Sequence, residues 1–395
     1  MRDLFKNMFK PDGQVDVEYL LENVTEFAAL KGCQQNPHWH SEGDAFAHTV
    51  LCLDALENKL NIESICRNYD ADYVKVIRAA VAFHDIGKPV VTSLGKDGNW
   101  HSYNHEIEGE KIARMLFWDE PLYIREPICQ LIRWHMEPLK IFDSKNWVSN
   151  LVALAQRVPS LQALYYVKMC DCLGSIPEEK SVDESSLKRL DFLRKVAQEL
   201  NIWYWYGKFS LNNRVNKVNN FPWSKEYNSN KVAYILIGLP GAGKNTYIND
   251  TLLPLWGDNL VQISRDDIRA QLGFCEPNEK YLGTKEEEKN VTAEFERQFK
   301  DAVKNGRPMV LNNTHLRKKY RDELLPTLKQ YKYVIHYVYI EAPTLEDNFK
   351  RREDDICEEN IKAMAMSFDW PDFMEYDKFT VVKQETDGSK NEYTE

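Results

Sequence analysis

Apolar residues recur at helical spacing through the first half of this chain. In Ala45-Phe-Ala-His-Thr-Val-Leu-Cys-Leu-Asp-Ala-Leu56, in Val74 to Phe83 and in Leu151 to Leu164 they fall three and four positions apart, the period that gathers them on one helix face. Runs with the twofold alternation of a half-buried strand are scarce between residues 15 and 200, so this half predicts an all-helical domain. From Trp203 to Asn230 the pattern gives way to an aromatic, Asn-rich stretch with Asn212-Asn213, Asn219-Asn220 and Phe221-Pro-Trp223, which predicts a linker whose rings pack on a domain. Val232-Ala-Tyr-Ile-Leu-Ile237 then reads as a buried strand, followed at once by a glycine-rich loop and a helix. Further strands are expected at 259–264, 308–312 and 333–340, with helical stretches between them. Strands alternating with helices predict an α/β domain, a parallel sheet with helices on both faces. The boundaries are 1–200 for the helical domain, 201–230 for the linker and 231–395 for the α/β domain, with a mobile acidic tail after Gln384.

Length agrees with two domains, since 395 residues exceed what one ordinary core organises. No apolar run approaches the roughly 20 residues of a membrane span, and the first ten residues lack the features of a secretory signal, so no membrane partner and a cytoplasmic setting are expected. Eight cysteines without a C-x-x-C pair read as reduced thiols. The net charge of -10 argues against wrapping a long duplex, whose affinity comes from many Lys and Arg contacts to phosphates. Local basic clusters at Arg265 to Arg269, Arg317 to Arg321 and Lys350 to Arg352 leave one strand end within reach, although each alone also reads as a solvated helix face.

Chemistry concentrates in the helical half at His84-Asp85. An imidazole nitrogen and a carboxylate oxygen are good ligands for divalent first-row metals, and adjacent residues at a helix end can reach one ion or bridge two. His48 in an earlier helix and Asp171 in a later one complete a set of four, and His105 and His135 add capacity for a second ion. Hydrolysis of a phosphomonoester or phosphodiester is the reaction such a set supports. The segments Asn36-Pro-His-Trp-His40-Ser-Glu-Gly-Asp44, His48-Thr, His84-Asp85-Ile-Gly-Lys88-Pro, His105-Glu106-Ile-Glu-Gly109, Arg133-Trp-His135-Met and Asp171-Cys-Leu-Gly174 resemble, in this order, the HD phosphohydrolase superfamily. In detail they look like the HD region that accompanies CCA-adding nucleotidyltransferases. The resemblance implies His48, His84, Asp85 and Asp171 as metal quartet, His105 and His135 as second-site ligands, and Lys88 and Arg133 facing the substrate phosphate. His38, His40 and His101 fit a surface or supporting role equally well.

In the second half, Gly238-Leu-Pro-Gly241-Ala-Gly243-Lys244-Asn245-Thr246 stands between a strand and a helix. Glycines there let backbone N–H groups approach phosphates while Lys244 reaches the β and γ phosphates of ATP or another nucleoside triphosphate. A hydroxyl residue after the lysine would normally ligate magnesium, and here Asn245 stands in that place, with Thr246 next. After the second expected strand, Ser264-Arg265-Asp266-Asp267-Ile268-Arg269 sets a carboxylate and a guanidinium at the carboxyl edge of the sheet, where ligands of open α/β folds sit. Asp266 can take a hydroxyl proton and Arg269 can hold a phosphate; a helix-capping aspartate followed by a structural arginine is the alternative. With the loop, this stretch resembles the polynucleotide 5′-kinases of phages and bacteria. That resemblance implies Asp266 as general base and Arg269 as the contact to an acceptor phosphate. It matches Asn312-Asn313-Thr314-His315 to an Asp-Thr-Asn segment in which Asn313 replaces the aspartate, and it implies Arg352, or alternatively Arg351, as a lid arginine over the triphosphate.

Taken in order, the two halves resemble the bacterial two-domain RNA end-healing enzymes that join an HD phosphohydrolase to a polynucleotide kinase. The resemblance implies conversion of a 2′,3′-cyclic phosphate or 3′-phosphate and a 5′-hydroxyl into 3′-hydroxyl and 5′-phosphate ends on RNA, or on DNA. It also implies Mg with the kinase, Mn, Ni, Co or Zn in the HD site, and a separate RNA ligase as partner. Two other classes stay open: a nucleotide phosphohydrolase fused to a small-molecule nucleoside kinase, and a nucleotide-gated regulator. The oligomeric state is not readable from the sequence.

Overall fold

The computed structural model describes residues 3–66, 71–178, 180–204, 231–275, 283–351, 358–384 and 390–394. Contacts divide the chain into two compact units, Met1–Ser210 and Leu211–Glu395.

The first unit is helical. Its principal helices are α1 (Ala45–Asp54), α2 (Ala71–Phe83), α3 (His105–Leu116), α4 (Leu122–Trp134) and α5 (Leu161–Gly174). Between α2 and α3, Ser93–Leu94 (β1) and Trp100–His101 (β2) form a short antiparallel pair. Helix α2 is buried on every side from Val76 to Phe83, as an almost wholly apolar sequence there requires, and it serves as the axis of the core. Leu151 to Leu164 is not one helix, contrary to its spacing. The chain breaks after Arg157, where Pro159 cannot continue the hydrogen-bond ladder, and Ser160 recaps α5 by accepting from the Ala163 N–H. Trp203, at the start of the expected linker, is buried with its ring against Tyr165, and its carbonyl accepts from the Gln162 N–H. The rest of that linker, 205–230, lies outside the described residues.

In the second unit β3 (Val232–Ile237), β4 (Val261–Ile263), β5 (Met309–Leu311), β6 (Val334–Glu341), β7 (Lys378–Gln384) and β8 (Lys390–Thr394) form one sheet in the order β4-β5-β3-β6-β7-β8. The first five are parallel and β8 pairs antiparallel with β7. The four expected strands are therefore present, with two more after them. A mobile tail is expected after Gln384, but Lys390 to Thr394 form an edge strand, because β7 offers an unpaired backbone edge that a charged sequence can still hydrogen-bond; residues 385–389 lie outside the described residues. Helices α6 (Lys244–Tyr247), α7 (Arg265–Gln271), α8 (Lys285–Lys304) and α9 (Leu345–Lys350) carry candidate site residues of this unit. Strand β3 lies between β5 and β6, so the loop after it opens at the sheet's carboxyl edge.

Candidate metal centre and phosphate-binding loop

Four imidazoles meet in the core of the first unit. His48 lies within α1, His84 just past the end of α2, His105 at the start of α3 and His135 just past α4, and all four are buried. The turn that carries His84 and Asp85 depends on Gly87: a Cβ there would stand 2.1 Å from the carbonyl oxygen of His105. Glycine thus lets the turn lie against the first residues of α3.

The Nδ1 atoms of His84, His105 and His135 are each bonded to a backbone carbonyl, of Val81 at 2.8 Å, Ser102 at 2.8 Å and Ile132 at 2.7 Å. His48 Nδ1 instead meets Glu42 Oε1 at 2.8 Å. Donation from Nδ1 leaves Nε2 of His84, His105 and His135 as a lone pair, the arrangement that metal-ligating histidines adopt, while His48 Nε2 faces the Asp171 carboxylate. The Nε2 atoms converge. Those of His48 and His84 are 3.3 Å apart, and those of His105 and His135 are 3.2 Å apart. Asp171 Oδ1 lies 3.1 Å from His48 Nε2 and 4.0 Å from His84 Nε2. Asp85 faces both pairs, its Oδ2 being 3.3 Å from His84 and its Oδ1 being 3.3 Å from His105.

Donors about 2.1 Å from a shared ion stand about 3.0–3.4 Å from one another. Most donor pairs here have that spacing, His48–Asp85 at 3.7 Å and His84–Asp171 at 4.0 Å being wider, and the set divides in two, with Asp85 common to both parts. Asp85 Oδ2 is also buried without a hydrogen-bond partner, although the Lys88 ammonium stands 2.6 Å away. The residues fit one divalent ion at His48, His84, Asp85 and Asp171 and a second at Asp85, His105 and His135.

Charge in the cluster is already sorted for that task. Burial opposes ionisation of Asp85, but His84 and Lys88 hold its carboxyl well below the usual carboxylate range. Asp171 is likewise held low against burial by Lys168 and His48. Burial, then the neighbouring rings of His105 and His84, push His135 well below the ordinary imidazole value, which keeps it neutral. His48 runs the other way: burial would lower it, but Cys52, Asp171 and Glu42 lift it well above, so a metal must displace a proton there.

Three participants escaped the sequence reading. Lys168, buried one helical turn before Asp171, bonds Asp171 Oδ2 at 2.6 Å. Glu42 joins His48 to His40, whose Nδ1 it meets at 2.7 Å. Gln35 accepts from Lys88 at 2.6 Å. A single ammonium in the otherwise apolar run Tyr165-Tyr-Val-Lys-Met-Cys170 was the available signal for Lys168. Arg133 has Glu110 and the Trp134 ring as its described partners, outside the cluster, and His101 pairs with Asp97.

In the second unit the loop runs from Gly238 to Lys244, and Gly241 takes φ +75°. A Cβ at Gly241 would lie 2.4 Å from the Asn348 carbonyl. Buried Asn348, in α9, returns a bond from Nδ2 to the Pro240 carbonyl at 2.9 Å. Lys244 bonds the carbonyls of Gly238 and Leu239 at 3.1 and 2.9 Å, so its ammonium already lies along the loop. Gln384, at the end of β7, accepts from Arg351 and donates to the Ala242 carbonyl at 3.4 Å. Arg352 lies outside the described residues.

The cap of α7 is Ser264, whose hydroxyl accepts from the N–H groups of Asp266 and Asp267, so capping is not the task of Asp266. The Asp266 side chain is 83% exposed and ion-pairs with Arg269. Glu288 of α8 holds Arg269 at 2.9 Å and Arg265 at 3.3 Å, beside an open groove lined by Thr284, Lys285, Glu288 and Thr292. The clusters at 265–269 and 317–321 are thus not simple solvated faces: Arg321 is fully buried and bonds Glu375 and the carbonyls of His315 and Leu316. Asn313 accepts from the Arg265 N–H, while Asn312 is the residue that reaches the loop, its Nδ2 bonding Asn245 Oδ1 at 2.8 Å.

Among known families, the HD domain matches residues 56–173 and the AAA domain matches residues 234–371. His48 precedes the first match and β7 and β8 follow the second. A protein of Autographa californica nuclear polyhedrosis virus, named "Putative bifunctional polynucleotide kinase/RNA ligase", is 27% identical over 292 residues, covering 68% of this chain and 40% of that protein. The chain therefore spans about two fifths of that relative's length. Two solved structures, "Structure of Pnkp1/Rnl/Hen1 complex" and "Structure of the Pnkp1/Rnl/Hen1 RNA repair complex", are 23% and 20% identical. They cover 32% and 36% of this chain and 41% and 45% of their own, with TM-scores of 0.27 and 0.30. By sequence family and by local geometry alike, the chain joins an HD domain to an AAA domain of the P-loop kinase-like kind.

Proposed function

We propose that the chain heals nucleic-acid ends. Residues 1–200 hydrolyse a 3′-phosphate or 2′,3′-cyclic phosphate, and residues 231–395 transfer the γ-phosphate of ATP or another nucleoside triphosphate to a 5′-hydroxyl, with RNA as the favoured substrate. The observation that carries this reading is the presence, in one chain, of a convergent His/Asp cluster suited to phosphate hydrolysis and a glycine loop with an acidic, arginine-bearing segment beside it. A relative named for polynucleotide kinase and RNA ligase supports nucleic acid as the acceptor.

Bound in the His/Asp cluster, a divalent ion supplies Lewis-acid activation of water and of the phosphate ester. Neutral imidazoles with carboxylates favour Mn, Ni, Co or Zn over Mg. Lys88, beside Asp85, is the cation for the substrate phosphate, and Arg133, paired with Glu110 in this structure, would have to leave that pair to join it. In the second unit Lys244 stabilises the transferred phosphoryl, Mg accompanies the nucleotide, Asp266 accepts the hydroxyl proton and Arg269 holds the acceptor's phosphate. The exposed Asp266 carboxylate and the groove beside Arg269 support these roles. Arg351, linked through Gln384 to the loop, and Arg352 share the lid assignment. Sealing falls to a separate RNA ligase. Cys33, Cys52, Cys66, Cys129 and Cys170 are free thiols, which goes with a reducing, cytoplasmic setting.

The test is incubation of RNA and DNA oligonucleotides bearing 5′-hydroxyl and 3′-phosphate ends with ATP and a series of divalent metals. Loss of the 3′-phosphate and gain of a 5′-phosphate are expected. Turnover of mononucleosides with no reaction on oligonucleotides would overturn the reading.

A further inference from the structure

P-loop enzymes hold the nucleotide's magnesium with a hydroxyl after the loop lysine and an aspartate at the end of a neighbouring strand. In this chain the residue after the loop lysine and the first residue after a neighbouring strand are both carboxamides. Asn245 follows Lys244, and Asn312 follows β5, the strand hydrogen-bonded alongside β3 in parallel. The two side chains touch, which puts both at one spot on the sheet's carboxyl edge.

Their bond is asymmetric. Asn245 Oδ1 accepts from Asn312 Nδ2 at 2.8 Å, so the oxygen that stands where the hydroxyl would be is already engaged. Asn312 Oδ1, by contrast, is buried and has no hydrogen-bond partner. A buried amide oxygen left unmatched is unfavourable unless something pairs with it. An amide oxygen is a hard, neutral donor of the kind magnesium accepts, directly or through one of the waters it keeps.

We propose that Asn312, not Asn245, supplies the protein oxygen toward the magnesium that accompanies the nucleoside triphosphate, and that Asn245 acts by holding the Asn312 carboxamide in place. The inference rests on the reading of the second unit as a nucleotide site. Protein charge contributes nothing at either position, so the divalent ion is retained chiefly by the phosphates. The site then takes up ion and nucleotide together.

Calorimetric titration of ATP into the full chain, in EDTA and in magnesium, gives the factor by which magnesium tightens nucleotide binding. It requires no turnover, and the His/Asp cluster does not enter it. Asn312→Ala should reduce that factor about tenfold, the low end of what removing a metal-supporting group costs, with affinity in EDTA unchanged. Asn245→Ala should reduce it by less, about threefold. Asn312→Asp, nearly isosteric, should increase it. A larger effect from Asn245→Ala than from Asn312→Ala, or an Asn312→Ala factor equal to the parent's, would overturn the proposal. No ATP binding by the parent in either buffer would instead overturn the nucleotide-site reading beneath it.

Discussion

Each imidazole of the candidate metal centre commits Nδ1 to a fixed partner and turns Nε2 toward the others, so the loss of any one leaves a gap in the cluster. His84→Ala or Asp85→Ala should abolish 3′-end hydrolysis and lower the tightly held metal content, while 5′-phosphorylation stays within about twofold of the parent. Parallel assays with metal analysis check this, and a folded Asp85→Ala variant that retains hydrolysis would remove Asp85 from the centre. Lys244→Ala and Asp266→Ala should each cost about a hundredfold or more in kinase rate and leave hydrolysis intact. Buried His315 shows a different effect of environment: burial pulls its pKa down to about 4, with its Nδ1–H on the Leu236 carbonyl. The unfolded chain, with an imidazole near 6.5, binds the proton first. Its contribution to stability is therefore present above about pH 6.5 and is lost as pH falls toward 4, on the order of 3 kcal/mol. His315→Gln should flatten that limb in denaturant titrations at pH 7 and pH 5, and an unchanged slope would assign the loss to other groups.

At the scale of elements, legibility follows how much each segment carries in itself. Helix α2 and strand β3 are readable because burial on all sides imposes continuous apolar runs, and the loop between β3 and α6 because its glycines answer to backbone geometry. Strands β7 and β8 went unread. Lys378-Phe-Thr-Val-Val-Lys-Gln384 is bounded by polar residues that hide its short apolar centre, and Lys390 to Thr394 is a strand only by virtue of the edge it pairs with. The six candidate metal ligands stood out as residue types at motif spacing, whereas Glu42, Lys168 and Glu288 make contacts in space that no local pattern announces. The Asp-Ile-Gly turn offers a test at this scale. Gly87→Ala should destabilise the first unit by about 1–3 kcal/mol and reduce its metal content, since the added methyl presses the His84–Asp85 turn away from His105. Parent-like denaturation and metal content would show that the contact relaxes freely.

For the whole molecule, the proposed function has the two chemistries draw on separate cores and separate ions. Rigorous chelation and then magnesium alone should restore 5′-phosphorylation fully and 3′-end hydrolysis little, with Mn, Ni, Co or Zn required for the latter. Full hydrolysis in magnesium alone would contradict the imidazole-rich donor set.

Strand order also ranks events in time. Because β3 is flanked by β5 and β6, the loop at its end is made early but is braced only after both of those later strands have been synthesised. The outer edge of β6 then waits for β7, and that of β7 for β8, so for much of translation the nascent sheet presents an unpaired parallel edge. Such edges invite pairing with other chains. The helical unit, complete before β3 leaves the ribosome, has no such wait. Ribosome-bound chains halted after β6 should accordingly resist protease over the first unit and be cut within the second.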